Sequence, residues 1–203
     1  MPNSSQSSAS PISLRTIRER LDRHPPARLA DSADLRHAAV ALILRDSPVG
    51  PELLIIGRAE HPDDPWSGHL GFPGGRVEPS DASPERAAVR ETEEEIGLAL
   101  DISARRIGAL SELRARARLE VLSMSIFPFV YELVGPISLQ PNEEVAMVCW
   151  VPLSFFLNPS NRSTMPHPND PQWVLPCYQL GERLFWGLSL RMLDDLLKDD
   201  GRR

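Results

Sequence analysis

The chain has 203 residues, 41% of them hydrophobic, and its 28 acidic and 22 basic side chains give a formal net charge of −6. This length and apolar content suit one sizeable domain with extensions. The acidic balance argues against a nucleic-acid partner, and no stretch approaches the roughly 20 apolar residues of a membrane span. Cys149 and Cys177 are typical of buried thiols in a reducing compartment, and the first residues lack a secretory pattern, so we expect a cytoplasmic protein without a membrane partner.

The N-terminal region divides into two predicted parts. Residues 1–11 are rich in serine and predict a disordered tail. Residues 12–35 predict a helix and a linker, because Leu14, Ile17 and Leu21 recur at helical spacing before two prolines. The main domain is then expected over residues 36–203.

Short apolar runs at 38–44 and 53–56 predict buried strands. The segment 68–75 (GHLGFPGG) follows, and its four glycines indicate unusual backbone angles or the close approach of a ligand. Further strands are predicted at 125–133, 145–150 and 183–186, a helix at 188–198, and a long proline-rich loop at 158–176. Strands mixed with few helices favour an α+β fold.

The helix predicted at 84–96 has the clearest signals in the chain. Ser83 is suited to the N-cap, Pro84 to the first helical position and Gly97 to the C-terminal stop. Its predicted packing face is formed by Ala87, Ala88, Thr92 and Ile96.

Three carboxylates crowd one face of this helix. Glu91, Glu94 and Glu95 stand at positions i, i+3 and i+4, where like charges repel. Arg90 is placed to pair with Glu94 but does not neutralise all three. One interpretation is a solvated acidic face; the other is a site for a hard divalent cation, toward which Gly75 would offer a bare carbonyl.

The segment from Gly74 to Leu98 resembles the Nudix box. The half from Arg90 to Leu98 matches closely, whereas Asp81 replaces the usual glutamate and the loop is one residue longer. The resemblance implies a Nudix-type α/β/α sandwich with a mixed central sheet over residues 36–203. It also implies hydrolysis of a nucleoside diphosphate derivative with Mg²⁺ or Mn²⁺, which Glu91, Glu94, Glu95 and the Gly75 carbonyl would bind.

The resemblance leaves the general base open. A carboxylate must take the proton of the attacking water. Glu91 or Glu94 is one choice; Glu143 or Glu144, in the PNEEV segment, is the other. Arg90 is expected to orient a glutamate.

Segments outside the box are similar to coenzyme A diphosphatases, notably 68–75 and FPFVYEL at 127–133. Ile56, Ala59 and the acidic residues at 63–64 depart from that branch, in which an arginine precedes the glycine-rich segment, and Arg58 is a candidate substitute. Because of the similar segments, we expect coenzyme A or acyl-coenzyme A as substrate. The expected substrate contacts are Arg58, Trp66, His69 and Gly74.

Several alternatives stay open at this stage. His69 is as well suited to a structural hydrogen bond as to substrate contact. The substrate alternatives are ADP-ribose, a nucleotide sugar or a dinucleotide. A third hypothesis is a module that senses a nucleotide without hydrolysing it, and the three intact glutamates argue against it. The sequence is compatible with a homodimer but does not specify one.

Overall fold

The computed structural model describes residues 12–61, 67–117, 120–168 and 170–198, with the backbone alone at 116–117 and 120–122. The predicted tail at 1–11 lies outside these residues, and so does the predicted substrate contact Trp66. The division into domains therefore stays a prediction for the tail.

The elements occur in an order that mixes strands and helices throughout the chain. The helices are α1 (Leu14–Arg23), α2 (Pro84–Ile96), α3 (Leu100–Ser103), α4 (Leu153–Leu157) and α5 (Gly187–Leu197). The strands are β1 (Arg36–Arg45), β2 (Glu52–Arg58), β3 (Leu70–Gly71), β4 (Gly74–Arg76), β5 (Ala104–Ala109), β6 (Leu113–Ala117), β7 (Glu120–Leu133), β8 (Val145–Pro152), β9 (Arg162–His167), β10 (Asp170–Leu180) and β11 (Arg183–Trp186).

A mixed sheet forms the centre of the described structure. Its strands follow the order β3-β2-β1-β7-β5, with β4 paired to β1, β6 to β7 and β8 to β2. The pair β1 and β7 is parallel, and the other pairs are antiparallel. A smaller sheet has the order β11-β10-β9.

Helices cover both faces of the central sheet. On one face, α2 buries Ala87, Ala88 and Ile96 against residues of β1 and β2. On the other face, α1 and α5 share a second core, to which they contribute Ile17 and Leu193. The alternation of side chains along β1 supplies both cores, as expected for a strand buried on two faces. This is the predicted α+β sandwich with a mixed sheet.

The linker after α1 is fastened to the central sheet by one buried carboxylate. Glu112, which is 7% exposed, accepts hydrogen bonds from Arg28 Nη1 at 2.7 Å and from the Leu29 amide at 3.1 Å. The linker therefore packs as part of the folded domain. No helix in the described parts of the chain is long and apolar enough to cross a membrane.

The expectation of a long loop at 158–176 is wrong. The segment contains a short 3₁₀ turn at Pro159–Asn161, the strand β9 and the first half of β10. The prolines are tolerated because β9 lies at a sheet edge and β10 changes register between Asp170 and Val174. The hairpin is therefore an ordered element, with Trp173 exposed on it.

Candidate functional site

The helix α2 begins and ends as its sequence predicts. The Ser83 hydroxyl accepts a hydrogen bond from the Arg86 amide at 3.3 Å, and Pro84 follows in the first turn. Gly97 ends the helix in the left-handed region, at φ 68°. On the buried face, the Thr92 hydroxyl donates to the Ala88 carbonyl at 2.6 Å, so its burial leaves no hydroxyl unpaired. The helix is thus fixed against the sheet over its whole length.

Two glycines bring strand β4 close to its neighbours. Gly74 has φ 147°, and a Cβ there would overlap the Ala39 carbonyl of β1. At Gly75 a Cβ would overlap the Glu91 carboxylate. Only a residue without a side chain lets α2 place a carboxylate directly against this strand. Of the two predictions made for the glycine-rich segment, Gly74 confirms the unusual backbone angle, and the elements that approach closely are β1 and α2.

Glu95 is the buried member of the acidic group. It is 2% exposed, and its carboxylate accepts from the Gly74 amide at 2.9 Å and from Arg58 Nη1 at 3.4 Å. Burial raises the pKa of Glu95 to about 7, although these two donors oppose the rise. Arg58 and Gly74, predicted as substrate contacts, thus both hold Glu95.

Arg90 links the other carboxylates into one network. It donates to Asp81 at 3.1 and 3.0 Å, and its Nη1 lies 3.0 Å from both Glu91 and Glu94. The predicted pairing with Glu94 is therefore present. These hydrogen bonds hold the pKa of Asp81 below its ordinary value despite burial. Asp81, whose role the sequence left open, fixes the arginine that separates Glu91 from Glu94.

The segment before β8 places Glu144 beside the same cluster. The amides of Gln140 and Asn142 donate to the carbonyls of Ile96 and Glu95, at 2.8 and 2.9 Å, and so fasten the segment to the end of α2. The Glu144 carbonyl accepts from the Ala59 amide at 2.8 Å. Burial raises the pKa of Glu91, and the negative charges of Glu94 and Glu144 add to this rise.

His69 is the backbone neighbour of Arg58 where β2 pairs with β3. The His69 carbonyl accepts from the Arg58 amide at 3.0 Å, which continues the pairing of β2 with β3. Its ring packs on Trp186 with centroids 5.0 Å apart. Trp186 is only partly buried, and nothing in a linear pattern indicates that it meets His69.

The donor set suits a hard divalent cation. Carboxylate oxygens and a bare backbone carbonyl are ligands that Mg²⁺ accepts. Among the residues that the structure describes, however, no three acidic, histidine or cysteine side chains form a ready cation site. The reason is visible in the network: Arg90 lies between Glu91 and Glu94, and Glu95 is turned toward Gly74 and Arg58. A bound cation would take the place of the arginine contacts.

An acidic helix packed on a glycine-rich strand in an α/β/α sandwich agrees with the fold that the resemblance to the Nudix box implied. The chain belongs to the Nudix family, because the model of the NUDIX domain matches residues 35–175. It is therefore a member of a family that generally uses divalent metal ions.

Individual proteins from several organisms are similar in sequence to this chain. An uncharacterized Nudix hydrolase, NudL, of Photorhabdus laumondii is 32% identical over 85% of this chain and 88% of its own length. The mitochondrial coenzyme A diphosphatase NUDT8 of Homo sapiens is 31% identical over 68% of this chain. The chain spans 58% of that human protein and 50% of an uncharacterized Schizosaccharomyces pombe protein, C14C4.10c, to which it is 31% identical.

Solved structures show the same fold at low identity. A MutT/nudix family protein from Enterococcus faecalis aligns with a TM-score of 0.53 over 91% of this chain and 68% of its own, at 16% identity. An Ap4A hydrolase from C. elegans aligns with a TM-score of 0.50 over 61% of this chain and 84% of its own, at 22% identity.

Proposed function

We propose that this protein hydrolyses the diphosphate linkage of coenzyme A or acyl-coenzyme A, with Mg²⁺ or Mn²⁺ bound by Glu91, Glu94, Glu95 and the Gly75 carbonyl. The products are a phosphopantetheine compound and an adenosine bisphosphate, with one water consumed. The observation that carries the proposal is the contact of the Glu91 carboxylate with Gly75, beside the buried Glu95. The likeness to the human coenzyme A diphosphatase supports the choice of substrate.

Each residue has a distinct part in this proposal. When bound, a divalent cation offsets diphosphate charge and makes water a better nucleophile at neutral pH. Glu144 is exposed, and its negative charge adds to the rise in the pKa of Glu91 and of Glu95, which supports Glu144 as the base that accepts the proton of the attacking water. Glu91 and Glu94 remain the other choices for this base. Until a cation binds, Arg90 orients Glu91 and Glu94 through its hydrogen bonds.

The proposed substrate contacts lie in the chain segments next to the same cluster. Arg58 is partly exposed and carries positive charge beside Glu95, which suits an anionic phosphate group. His69 and Gly74 follow in the adjoining segment, and Trp66 completes the proposed set from outside the described residues. The substrate is a small molecule, and the proposal requires neither a second copy of the chain nor a membrane surface.

The test is a hydrolysis assay with Mg²⁺ on coenzyme A, ADP-ribose, NADH and a dinucleoside polyphosphate. Glu94→Gln is compared with Glu93→Gln, because Glu93 is an exposed neighbour on the same helix. We expect coenzyme A to be cleaved fastest, with the rate lost in Glu94→Gln and kept in Glu93→Gln. A faster rate on another diphosphate would refute the coenzyme A assignment alone. Equal rates in both variants would refute the metal site.

A further inference from the structure

We propose that Arg183 is a positioning residue for this site, which rests on the proposed function. Arg183 belongs to β11 in the small sheet, yet its guanidinium reaches the end of β2 in the central sheet. Its Nη1 donates to the carbonyl of Arg58 at 3.2 Å and to that of Gly68 at 3.4 Å. The first carbonyl ends β2, and the second lies two residues before β3. One arginine therefore joins the end of β2 to the chain that leads into β3.

Gly57 makes room for this contact. A Cβ at Gly57 would lie 2.8 Å from Arg183 Nη1 and would also meet the side chain of Met147. The absence of a side chain lets the guanidinium lie against the backbone of β2, where it reaches both carbonyls. Gly57 is therefore part of the same arrangement, although it is distant from the glycine-rich segment in the chain.

Two hydrogen-bonded connections lead from the end of β2 to the acidic cluster. The Arg58 side chain pairs with Glu95 at 3.4 Å, so the position of the Arg58 backbone sets one partner of that carboxylate. The Ala59 amide donates to the Glu144 carbonyl at 2.8 Å, so the same backbone also holds the segment that carries Glu144. Arg183 acts through these two residues and needs no contact with substrate.

The competing explanation is that Arg183 only joins the two sheets. Arg162 on β9 provides a matched control, because it joins the small sheet to α5 by two hydrogen bonds to Asp194, at 2.7 and 2.8 Å. Arg162→Met removes a comparable link without touching Arg58 or Gly68. A general loosening of the small sheet would affect both variants alike.

The experiment compares Arg183→Met, Arg183→Lys and Arg162→Met with the wild-type full chain. Three quantities are measured: hydrogen exchange at the Arg58 and Ala59 amides, Mg²⁺ affinity by calorimetry, and kcat and KM for the best substrate. For Arg183→Met we expect faster exchange at both amides and about tenfold losses in Mg²⁺ affinity and kcat, as for other residues that orient metal ligands. KM should change little, and Arg183→Lys, which keeps a donor, should be intermediate.

The outcomes separate this proposal from the one on which it rests. Mg²⁺ binding by the wild type that Arg183→Met leaves unchanged would overturn the positioning role alone. Equal losses of Mg²⁺ affinity in Arg162→Met would also overturn it, because the effect would then belong to the small sheet. If the wild type binds no Mg²⁺ and cleaves no substrate, the proposed function fails, and the role of Arg183 fails with it.

Discussion

Asp81 is the buried acidic partner of Arg90 in the loop before α2. The loop before α2 is one residue longer than in the family pattern, and a shorter acidic side chain stands in it. Asp81 nevertheless accepts two hydrogen bonds from Arg90 and is almost fully buried. Its own backbone is tied back by a hydrogen bond to Glu78. Asp81 is therefore fixed by contacts of both its side chain and its backbone.

We predict that Asp81→Asn weakens both the fold and the site. Arg90 would lose the most buried of its three charged partners, which costs about 1–3 kcal/mol in the free energy of unfolding. The released guanidinium would pair more closely with Glu91 and Glu94 and compete with the cation, so activity should fall by roughly 10–100-fold. Thermal unfolding and a Mg²⁺ titration of activity measure the two effects.

Asp101→Asn is the control for this prediction. Asp101 accepts two hydrogen bonds from Arg86, which lies on α2 like Arg90, but the Asp101 side chain is exposed. Its removal should lower stability by at most about 1 kcal/mol and leave the Mg²⁺ titration unchanged. A wild-type Mg²⁺ dependence in Asp81→Asn would show that Arg90 keeps its place without Asp81.

At the scale of elements, Glu112 makes the attachment of the linker dependent on pH. Burial alone would raise the pKa of Glu112, but hydrogen bonds from Arg28, Ser32 and the Leu29 amide outweigh it and lower the pKa below 4.5. A carboxyl whose folded-state pKa is lowered stabilises the fold above its unfolded pKa. This contribution is lost as the pH falls through the folded-state value.

We predict that Glu112→Gln destabilises the protein by about 1 kcal/mol at pH 7, because a charged acceptor is replaced by a neutral one. The difference from the wild type should shrink as the pH falls below 4.5. Denaturant unfolding at several pH values measures it, and Glu182→Gln, on an exposed turn, accounts for the loss of one surface charge. A difference that stays constant down to pH 3 would contradict the prediction.

The elements also show what the sequence predicts well and what it does not. The bounds of α2 follow from local chemistry, because Ser83, Pro84 and Gly97 act within one turn of the helix. The hairpin of β9 and β10 was not predicted, because prolines usually argue against a strand. Here they are tolerated at an edge strand and at a bulge, which are properties of the sheet and not of the local sequence. The contacts of Arg183 with Arg58 and Gly68 span most of the chain, and no local pattern encodes them.

At the scale of the whole molecule, we predict that Mg²⁺ stabilises the folded chain. A ligand that binds only the folded state adds about 2.7 kcal/mol to the free energy of unfolding at 100 times its dissociation constant. The melting temperature should therefore rise with Mg²⁺ in the wild type and fall back when a chelator is added. Glu91→Gln should reduce the rise, and Glu93→Gln should keep it. An equal rise in both variants would place the binding elsewhere.

Arg90 affects whether the chain can fold before it binds a cation. By lying between Glu91 and Glu94 it acts as a built-in counter-ion, and it relieves the repulsion that would otherwise oppose α2. Domains whose ligands have no such internal substitute stay unfolded until their metal arrives. This chain can complete its fold first and exchange an internal cation for an external one afterwards. Cation binding would then add to the stability of a chain that has already folded, and folding itself would not depend on the cation.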